Sequence, residues 1–259
     1  MIFYFSGTGN TAWAAETTAQ ALNDKLVFIP DYLDNNFLIK PAPHEAVGFC
    51  FPVHGWRPPV VVRQFIQRLV VETPPEYVYA ICTAGDTIGE TIAYLRQDLQ
   101  QVNLHLNAAF TLIMPESYVG LPFMDVDKIE KERSKKQQAI YDLNQYIGVI
   151  EKRQNNTASL HKGRWPRVNS HLIGSFFAKY LITDKPFHVN HTRCVKCGIC
   201  KDVCPTHDIN GGLGYEPAWK HNNSCTVCFS CYHHCPHHAI EYGRQTQKKG
   251  QYFYKKHKL

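Results

Sequence analysis

The most constraining feature of this sequence is a cysteine pattern that occurs twice between residues 194 and 236. Eight of the ten cysteines follow the spacing Cys-x2-Cys-x2-Cys-x3-Cys-Pro. The two copies contain Cys194, Cys197, Cys200 and Cys204, and then Cys225, Cys228, Cys231 and Cys235. In each copy, three thiols lie within one tight loop, whereas the fourth is carried past the turn.

Two [4Fe-4S] clusters account for this spacing. Each triplet wraps one corner of a cluster, and the fourth cysteine points away from its own loop to ligate the other cluster. The predicted ligand sets are Cys194, Cys197, Cys200 and Cys235 for the first cluster, and Cys225, Cys228, Cys231 and Cys204 for the second. This exchange requires the clusters to lie close together, and it leaves no evident open iron site.

Zinc and disulfides are the alternatives for these thiols. Structural zinc prefers two Cys-x2-Cys pairs rather than a regular triplet followed by Cys-Pro. Disulfides suit small secreted chains, but the N-terminus has no basic leader region or cleavage site. No run approaches the roughly 18 apolar residues of a membrane span. We therefore expect a soluble, cytoplasmic protein whose reduced thiols are available to iron.

A phosphate-binding loop is predicted near the N-terminus. The strand-like run Ile2 to Phe5 leads into a turn, and Ala12 to Leu22 has helical composition. Glycines allow the backbone to approach a ligand, and the helix N-terminus presents free amides with positive partial charge. The predicted loop residues are Ser6, Gly7, Thr8, Gly9, Asn10 and Thr11.

Two phosphate ligands compete for this loop. Gly7-x-Gly9-x-x-Ala12 satisfies the dinucleotide fingerprint, and Asp31 lies near the expected acidic position. The hydroxyl-rich loop instead favours a terminal phosphate monoester, which carries more charge than a bridging pyrophosphate. We therefore favour flavin mononucleotide (FMN) over a nicotinamide dinucleotide.

The rest of the first 155 residues alternates strand-like and helical segments, as in an α/β protein. The expected fold is a doubly wound, five-stranded parallel sheet with strand order 2-1-3-4-5. The predicted strands are Ile2 to Phe5, Leu26 to Ile29, Ala46 to Phe51, Tyr77 to Cys82 and Ala109 to Met114. The predicted helices that follow the first are Pro58 to Val71, Asp86 to Val102 and Val126 to Gln154.

In such a sheet, the loops after strands one, three and four converge on the ligand. The predicted ring-binding residues are Pro52, Val53, His54, Gly55 and Trp56 after strand three, and Thr83, Ala84, Gly85 and Asp86 after strand four. Trp56 is either a cover for the flavin ring or a packing aromatic, and the glycines either admit the ring or only make turns. His54 and Asp86 are conceivable proton donors. Glu116, Ser117 and Tyr118 are not included in the predicted site.

Residues 187–243 resemble the two-cluster bacterial ferredoxins, and the loop Ser6 to Thr11 resembles the flavodoxin phosphate loop. The resemblance includes the short segments Pro186 to Asn190 and His237 to Tyr242. The whole chain resembles the flavodoxin-ferredoxin fusion proteins of anaerobic microbes. It implies a flavodoxin-like FMN domain at 1–156, a linker with a short helix at 157–186, a ferredoxin-like domain at 187–243 and a basic tail at 244–259.

Charge is divided unevenly along the chain. Residues 1–124 hold 6 Lys and Arg against 11 Asp and Glu, whereas residues 125–259 hold 22 against 11. Two clusters and a flavin phosphate would each add about −2, so the net charge of +6 does not require nucleic-acid binding. The basic tail is either a dock for an acidic redox partner or a solvated end. A homodimer is possible.

The leading hypothesis is an electron-transfer protein in which two [4Fe-4S] clusters exchange electrons with FMN. The alternative is an FMN-dependent oxidoreductase that reduces a small quinone, enoate or nitro compound with electrons from its clusters. The enzyme predicts an open cavity lined by residues 54–57 and 116–124. The carrier predicts an exposed flavin edge and a flat docking surface. A third reading is a binding module with structural clusters.

Overall fold

A computed structural model describes residues 1–256. The tail predicted at 244–259 therefore extends three residues beyond the described part. The first 160 residues alternate strands and helices, as expected. Their elements are β1 (Ile2–Tyr4), α1 (Asn10–Leu22), β2 (Leu26–Phe28), β3 (Phe37–Ile39), β4 (Ala46–Pro52), α2 (Val60–Gln67), β5 (Leu69–Val71), β6 (Tyr77–Ala84), α3 (Thr91–Gln101), β7 (Ala108–Ile113), α4 (Ile129–Glu151) and β8 (Thr157–Ser159).

A six-stranded parallel sheet forms the centre of this region. Its strand order is β2-β1-β4-β6-β7-β8, and every neighbouring pair is parallel. The α/β class is confirmed, but the predicted sheet of five strands is incomplete. The sixth strand, β8, comes from the predicted linker and pairs Thr157 with Ala108 and Ser159 with Phe110. A three-residue strand has too little pattern to identify it before its partner is known.

The helix predicted from Pro58 to Val71 is wrong at its C-terminal end. Helix α2 stops at Gln67, and residues 69–71 form β5, which pairs in parallel with β3 in a separate two-stranded sheet. The run Leu-Val-Val suits a strand because branched side chains fit a pleated surface. Leu69 is buried, and pairing with β3 holds the segment extended.

Both faces of the central sheet are buried. On one face, Phe3 packs against Phe49 and Phe65, and on the other Phe110 stacks on Tyr146 of α4. Successive strand residues point to opposite faces, so a strand buried on both sides reads as a continuous apolar run. This explains why β4 and β6 are recognisable from sequence alone.

The cysteine-rich region is a smaller unit built on two antiparallel strand pairs. These are β9 (Phe187–Val189) with β12 (Ile240–Tyr242), and β10 (Ile209–Gly212) with β11 (Tyr215–Trp219). Pairing of Phe187 with Tyr242 confirms the expectation for residues 186–190 and 237–242. Aromatic packing of Phe187, Trp219 and Phe229 fills its core. Its two short helices are α5 (Ile199–Asp202) and α6 (Ser230–His233).

A helical segment at residues 166–180, here called the linker helix, joins the two regions. It consists of Pro166–Val168, a π-helical turn at Asn169–Ile173, and Gly174–Tyr180. The Arg57 guanidinium donates to the Ser170 carbonyl at 2.9 and 3.1 Å, and Ser170 Oγ donates to the Trp56 carbonyl at 3.2 Å. The linker helix is thereby fixed against the loop that follows β4.

The described part of the C-terminal tail is not a solvated end. Tyr254 N–H donates to the Thr8 carbonyl at 2.8 Å, and the Tyr254 ring stacks on Trp13. Tyr252 is buried, and its hydroxyl donates to Asn10 Oδ1 at 2.5 Å. The chain thus returns across the first helix. Within residues 1–256, no helix combines the length and apolarity needed to cross a bilayer.

Candidate functional site

The predicted phosphate loop lies between β1 and α1 and is braced from several sides. Gly9 has φ of +93° and ends the loop, with its N–H donating to Ser6 Oγ at 3.2 Å. Thr11 Oγ1 hydrogen-bonds Thr83 Oγ1 at 2.8 Å. Asn10 uses both side-chain atoms within the protein, since Nδ2 donates to the Pro115 carbonyl and Oδ1 accepts from Tyr252. Asn10 therefore shapes the loop rather than offering its amide to a ligand.

The predicted ring loops are also rigid. His54 and Arg57 exchange two backbone hydrogen bonds around Gly55 and Trp56, which have φ of +55° and +58°. Two successive left-handed residues define a tight turn of type I′. The Trp56 indole N–H donates to Thr87 Oγ1 at 3.1 Å, which joins this turn to the loop after β6. Trp56 is thus anchored at its polar edge.

These loops border a cavity of about 550 Å³. This volume lies within the range of small-molecule and cofactor sites. All of the predicted cofactor-binding residues line the cavity except Gly9, which lies behind the loop against Tyr254. The parallel strands therefore bring together residues from three separate loops, as the topology requires.

The cavity is also lined by residues that were not predicted from the sequence. Glu116 follows β7, and a Cβ placed on Gly85 would lie 2.2 Å from Glu116 Oε2. Glu116 Oε1 accepts from the backbone N–H groups of Ser117 and Tyr118 at 2.9 and 2.8 Å. Desolvation nevertheless raises the pKa of Glu116 above its ordinary value. Its position just after a central strand was the signal available in the sequence.

Aromatic residues from three regions close the cavity. The Tyr118 ring packs edge-on against Phe177 of the linker helix at 5.3 Å and against Phe229 of the second cysteine loop at 5.4 Å. A Cβ on Gly55 would meet the Phe177 ring at 2.6 Å, so the linker helix sits directly on the ring loop. Neither Phe177 nor Phe229 is close to the other loops in sequence, and only the tertiary fold brings them here.

The histidine and cysteine side chains near the cavity have ordinary structural roles. Burial lowers the pKa of His54 to about 4, so the ring is neutral at pH 7 and is a poor acid. Cys82 is buried, donates its thiol to the Phe110 carbonyl at 3.4 Å, and has its pKa raised to about 12 by burial. Burial also raises the pKa of Cys50. Both thiols behave as small buried apolar groups.

The two cysteine loops have the same backbone conformation. Left-handed φ values recur at equivalent positions, at Lys196 and Val227, at Gly198 and Phe229, and at His207 and His238. The Asp208 N–H donates to Cys204 Sγ at 3.3 Å, and the equivalent Ala239 N–H donates to Cys235 Sγ at 3.2 Å. Left-handed backbone is unusual for Val and Phe and persists only when the surrounding structure holds it. The repeat in sequence is therefore a repeat in structure.

One of the two predicted ligand sets borders a single cavity. Cys194, Cys197, Cys200 and Cys235 line one small cavity. In the other predicted set, burial raises the pKa of Cys231, and the thiols of Cys228, Cys225 and Cys204, together with Cys200 of the first set, raise it further. Such thiols resist losing a proton to water, whereas a bound metal replaces the proton.

The second cysteine set adjoins the large cavity. Residues 226–229 line it, and a Cβ placed on Gly7 would lie 2.6 Å from Cys228 Cβ and 3.1 Å from Cys228 Sγ. His233 adds a second connection, because its ring accepts from the Tyr252 N–H at 3.1 Å and donates from Nε2 to the Ser117 carbonyl at 2.7 Å. The predicted phosphate loop and the second cysteine loop are thus in van der Waals contact.

Comparison with known proteins identifies the cysteine-rich region. Residues 187–236 match the family model of the 4Fe-4S dicluster domain. No curated protein matches the chain. A solved structure described as a flavoprotein from Bacteroides uniformis ATCC 8492 is 18% identical, with a TM-score of 0.33, over 43% of this chain and 88% of that one. The dicluster match spans all eight repeated cysteines and shows that the C-terminal region is ferredoxin-like.

Proposed function

We propose that this protein transfers electrons between two [4Fe-4S] clusters and a bound FMN. The observation that carries the proposal is the contact between Gly7 and Cys228. One residue belongs to the predicted phosphate loop and the other to the second predicted ligand set, so the two proposed cofactor sites would share a wall. A separation this short favours internal electron transfer over a purely structural role for the clusters.

The residues present fit these groups. Loop amides and hydroxyls at residues 6–11 would hold the phosphate at the N-terminus of α1, where the helix dipole favours an anion. Loops 52–56 and 83–86 would hold the flavin ring, and the two cysteine sets would hold the clusters. Bound there, the clusters supply electrons singly and the flavin exchanges them singly or in pairs.

The protein itself organises the space between the sites. Phe229 is fully buried, and together with Tyr118 it limits water between the second cysteine loop and the cavity. Backbone N–H groups donate to Cys204, Cys225 and Cys235, which stabilises anionic sulfur and raises the reduction potential.

An anaerobic reductive titration tests the proposal. Iron, sulfide and flavin are quantified on one sample, and reduction is followed by visible and electron paramagnetic resonance spectroscopy. The expected result is about eight irons and one flavin per chain, with electrons equilibrating between them. Clusters that are reduced by dithionite but never reduce the flavin would disprove the relay.

We also propose a second candidate, an FMN-dependent reductase of a small acceptor. Its support is that the cavity extends beyond the flavin loops to apolar side chains, which are Tyr118, Leu121, Phe123, Met124, Phe176 and Leu181. The whole cavity is lined by residues 54–56, 116–118, 121, 123 and 124, which are most of the residues expected for the enzyme at 54–57 and 116–124. Glu116, with its raised pKa, can hold a proton beside Gly85 and release it to an acceptor.

Turnover with chemically reduced protein tests this candidate. Quinones, enoates and nitro compounds are offered in turn, and Glu116→Gln is compared with Glu90→Gln, whose site is an ion pair with Lys162 outside the cavity. Loss of about a hundredfold in kcat for Glu116→Gln alone would support proton delivery. Absence of turnover with every acceptor, combined with intact flavin reduction, would leave the carrier as the function.

A further inference from the structure

The linker helix exposes a row of large apolar side chains. The exposed side chains are Trp165 (60%), Val168 (45%), Leu172 (69%), Ile173 (48%), Phe176 (56%) and Tyr180 (55%). The opposite side of the helix is packed on the protein through Ser170 and Gly174, which are buried. A contiguous apolar patch of this kind marks an interaction surface rather than ordinary exposure.

Basic residues accompany this patch along the linker helix. Residues 164–183 contain three Lys or Arg and no Asp or Glu, whereas Lys162 just before them is paired with Glu90. Arg164 and Arg167 are exposed, and so is Lys179. The surface therefore combines apolar side chains with positive charge. A matching partner has an apolar interior and an anionic surface.

The arrangement of the patch is ordered along the helix. An aromatic residue with an adjacent cation lies at each end, Arg164 above the Trp165 ring at 5.5 Å and Lys179 above the Tyr180 ring at 5.1 Å. Leu172 lies between these pairs. Amphipathic aromatic rings and long cationic side chains prefer the headgroup level of a bilayer, whereas aliphatic side chains enter the acyl region.

The mouth of the large cavity opens on the side of the protein where the linker helix exposes its apolar side chains. Ile173 and Phe176 line the cavity while also being exposed, and Phe123, which is 83% exposed, lines it from the loop after β7. These side chains form an apolar rim. Contact of this rim with a lipid surface would leave the cavity facing the acyl chains.

We propose that the linker helix docks this protein on the surface of an anionic lipid bilayer, without spanning it. Such interfacial helices bind through buried apolar area together with attraction of Lys and Arg to anionic headgroups. A second copy of the chain is a poorer occupant, because a two-fold contact would bring Arg164, Arg167 and Lys179 against the same charges. The binding requires no electron transfer, so it can fail while the relay holds.

Flotation with lipid vesicles tests this docking on the full chain with its clusters in place. Vesicles of phosphatidylcholine alone are compared with vesicles containing equal parts of phosphatidylcholine and phosphatidylglycerol. The wild type is expected to float with the anionic vesicles and to be released by salt. The pair Leu172→Ser and Phe176→Ser, and separately the pair Arg164→Gln and Arg167→Gln, should each weaken partitioning by about tenfold or more.

The matched control is the pair Leu38→Ser and Val70→Ser, which removes exposed apolar side chains that face each other across β3 and β5. Unchanged iron content verifies folding of each variant. Failure of the wild type to float, or flotation of both linker-helix variants to the same extent as the wild type, overturns the proposal. Absent flotation together with slower reduction of the linker-helix variants by an acidic one-electron carrier would assign this face to a protein partner instead.

Discussion

The two cysteine loops share one backbone but occupy different surroundings. In the first loop, Val195 is exposed and Lys196 points to solvent. In the second loop, Val227 and Phe229 are buried, and the adjacent Cys228 touches the phosphate loop. The difference indicates that local sequence sets the conformation of a ligand loop, whereas packing decides which loop faces the cavity. Under the proposed function, the first loop would meet an external electron donor, and the second would face the proposed flavin.

The sharpest test of this comparison replaces equivalent cysteines. Cys228→Ser and Cys197→Ser should each lower the iron content by about half, because each removes a ligand of one cluster. Only Cys228→Ser should abolish flavin reduction by the remaining cluster, because it removes a ligand from the predicted set that borders the large cavity. Stopped-flow spectroscopy after dithionite reduction measures this. Equal flavin reduction rates in the two variants would contradict the assignment.

The next test compares the equivalent left-handed residues Phe229 and Gly198. Phe229→Ala removes a ring that contacts Tyr118, Phe187 and Tyr242, so it should cost about 3–5 kcal/mol of unfolding free energy. Gly198→Ala should cost about 1–3 kcal/mol, through its φ of +82° and a Cβ that would lie 2.7 Å from Leu213 N. Anaerobic urea denaturation measures both. A larger loss for Gly198→Ala would contradict the expected order.

A third test concerns the shared wall. Gly7→Ala places a Cβ 2.6 Å from Cys228 Cβ, an atom fixed to the backbone, and should cost about 1–3 kcal/mol of FMN binding free energy by displacing the phosphate loop. Gly148→Ala is the control, because that glycine has nothing within 4 Å of an added Cβ and lies in α4. Fluorescence titration with FMN measures the affinity. Equal FMN affinities of the two variants would show that a methyl group fits between Gly7 and Cys228 without displacing the phosphate loop.

The smallest expected effect is a pH dependence of the unfolding free energy, caused by His54 in the loop after β4. The pKa of His54 is lowered from 6.5 to about 4, so the folded state resists a proton that the unfolded state accepts. The contribution of the neutral His54 ring to the unfolding free energy is fully present above pH 6.5. It is lost as the pH falls towards 4. The loss should be about 1 kcal/mol, because the half-buried ring borders the cavity and solvent screens its charge.

His54→Gln should flatten this part of the curve. Denaturation of both proteins at pH 7 and pH 5 provides the measurement. A slope that is identical in the two proteins would show that His54 does not set it.

Several features could be read from the sequence because they depend on local chemistry. The residue types in the phosphate loop and the cysteine spacing specify their own backbone conformations. The strands β4 and β6 are apolar runs, and their position is evident without partners. The sixth strand β8 and the small strand β5 could not be predicted, because three residues become a strand only when a neighbour supplies hydrogen bonds.

The candidate site was predictable only in part for the same reason. Loops after strands one, three and four converge by topology, so most of the lining was expected. Glu116 follows β7 at the same edge, yet nothing local distinguishes it from a surface carboxylate. Phe177 and Phe229 enter the cavity from distant segments, and Tyr252 reaches Asn10 from the far end of the chain.

The sequence by itself determined the cysteine spacing that matches a dicluster domain, and it predicted a loop suited to phosphate, because both depend on residues a few positions apart. The tertiary structure alone decided that the second thiol set lies against that loop. It also decided that the linker helix contributes to the cavity lining and leaves apolar side chains such as Leu172 exposed. Contacts such as Gly7 with Cys228 join residues far apart in the chain, and they follow from packing rather than from local pattern.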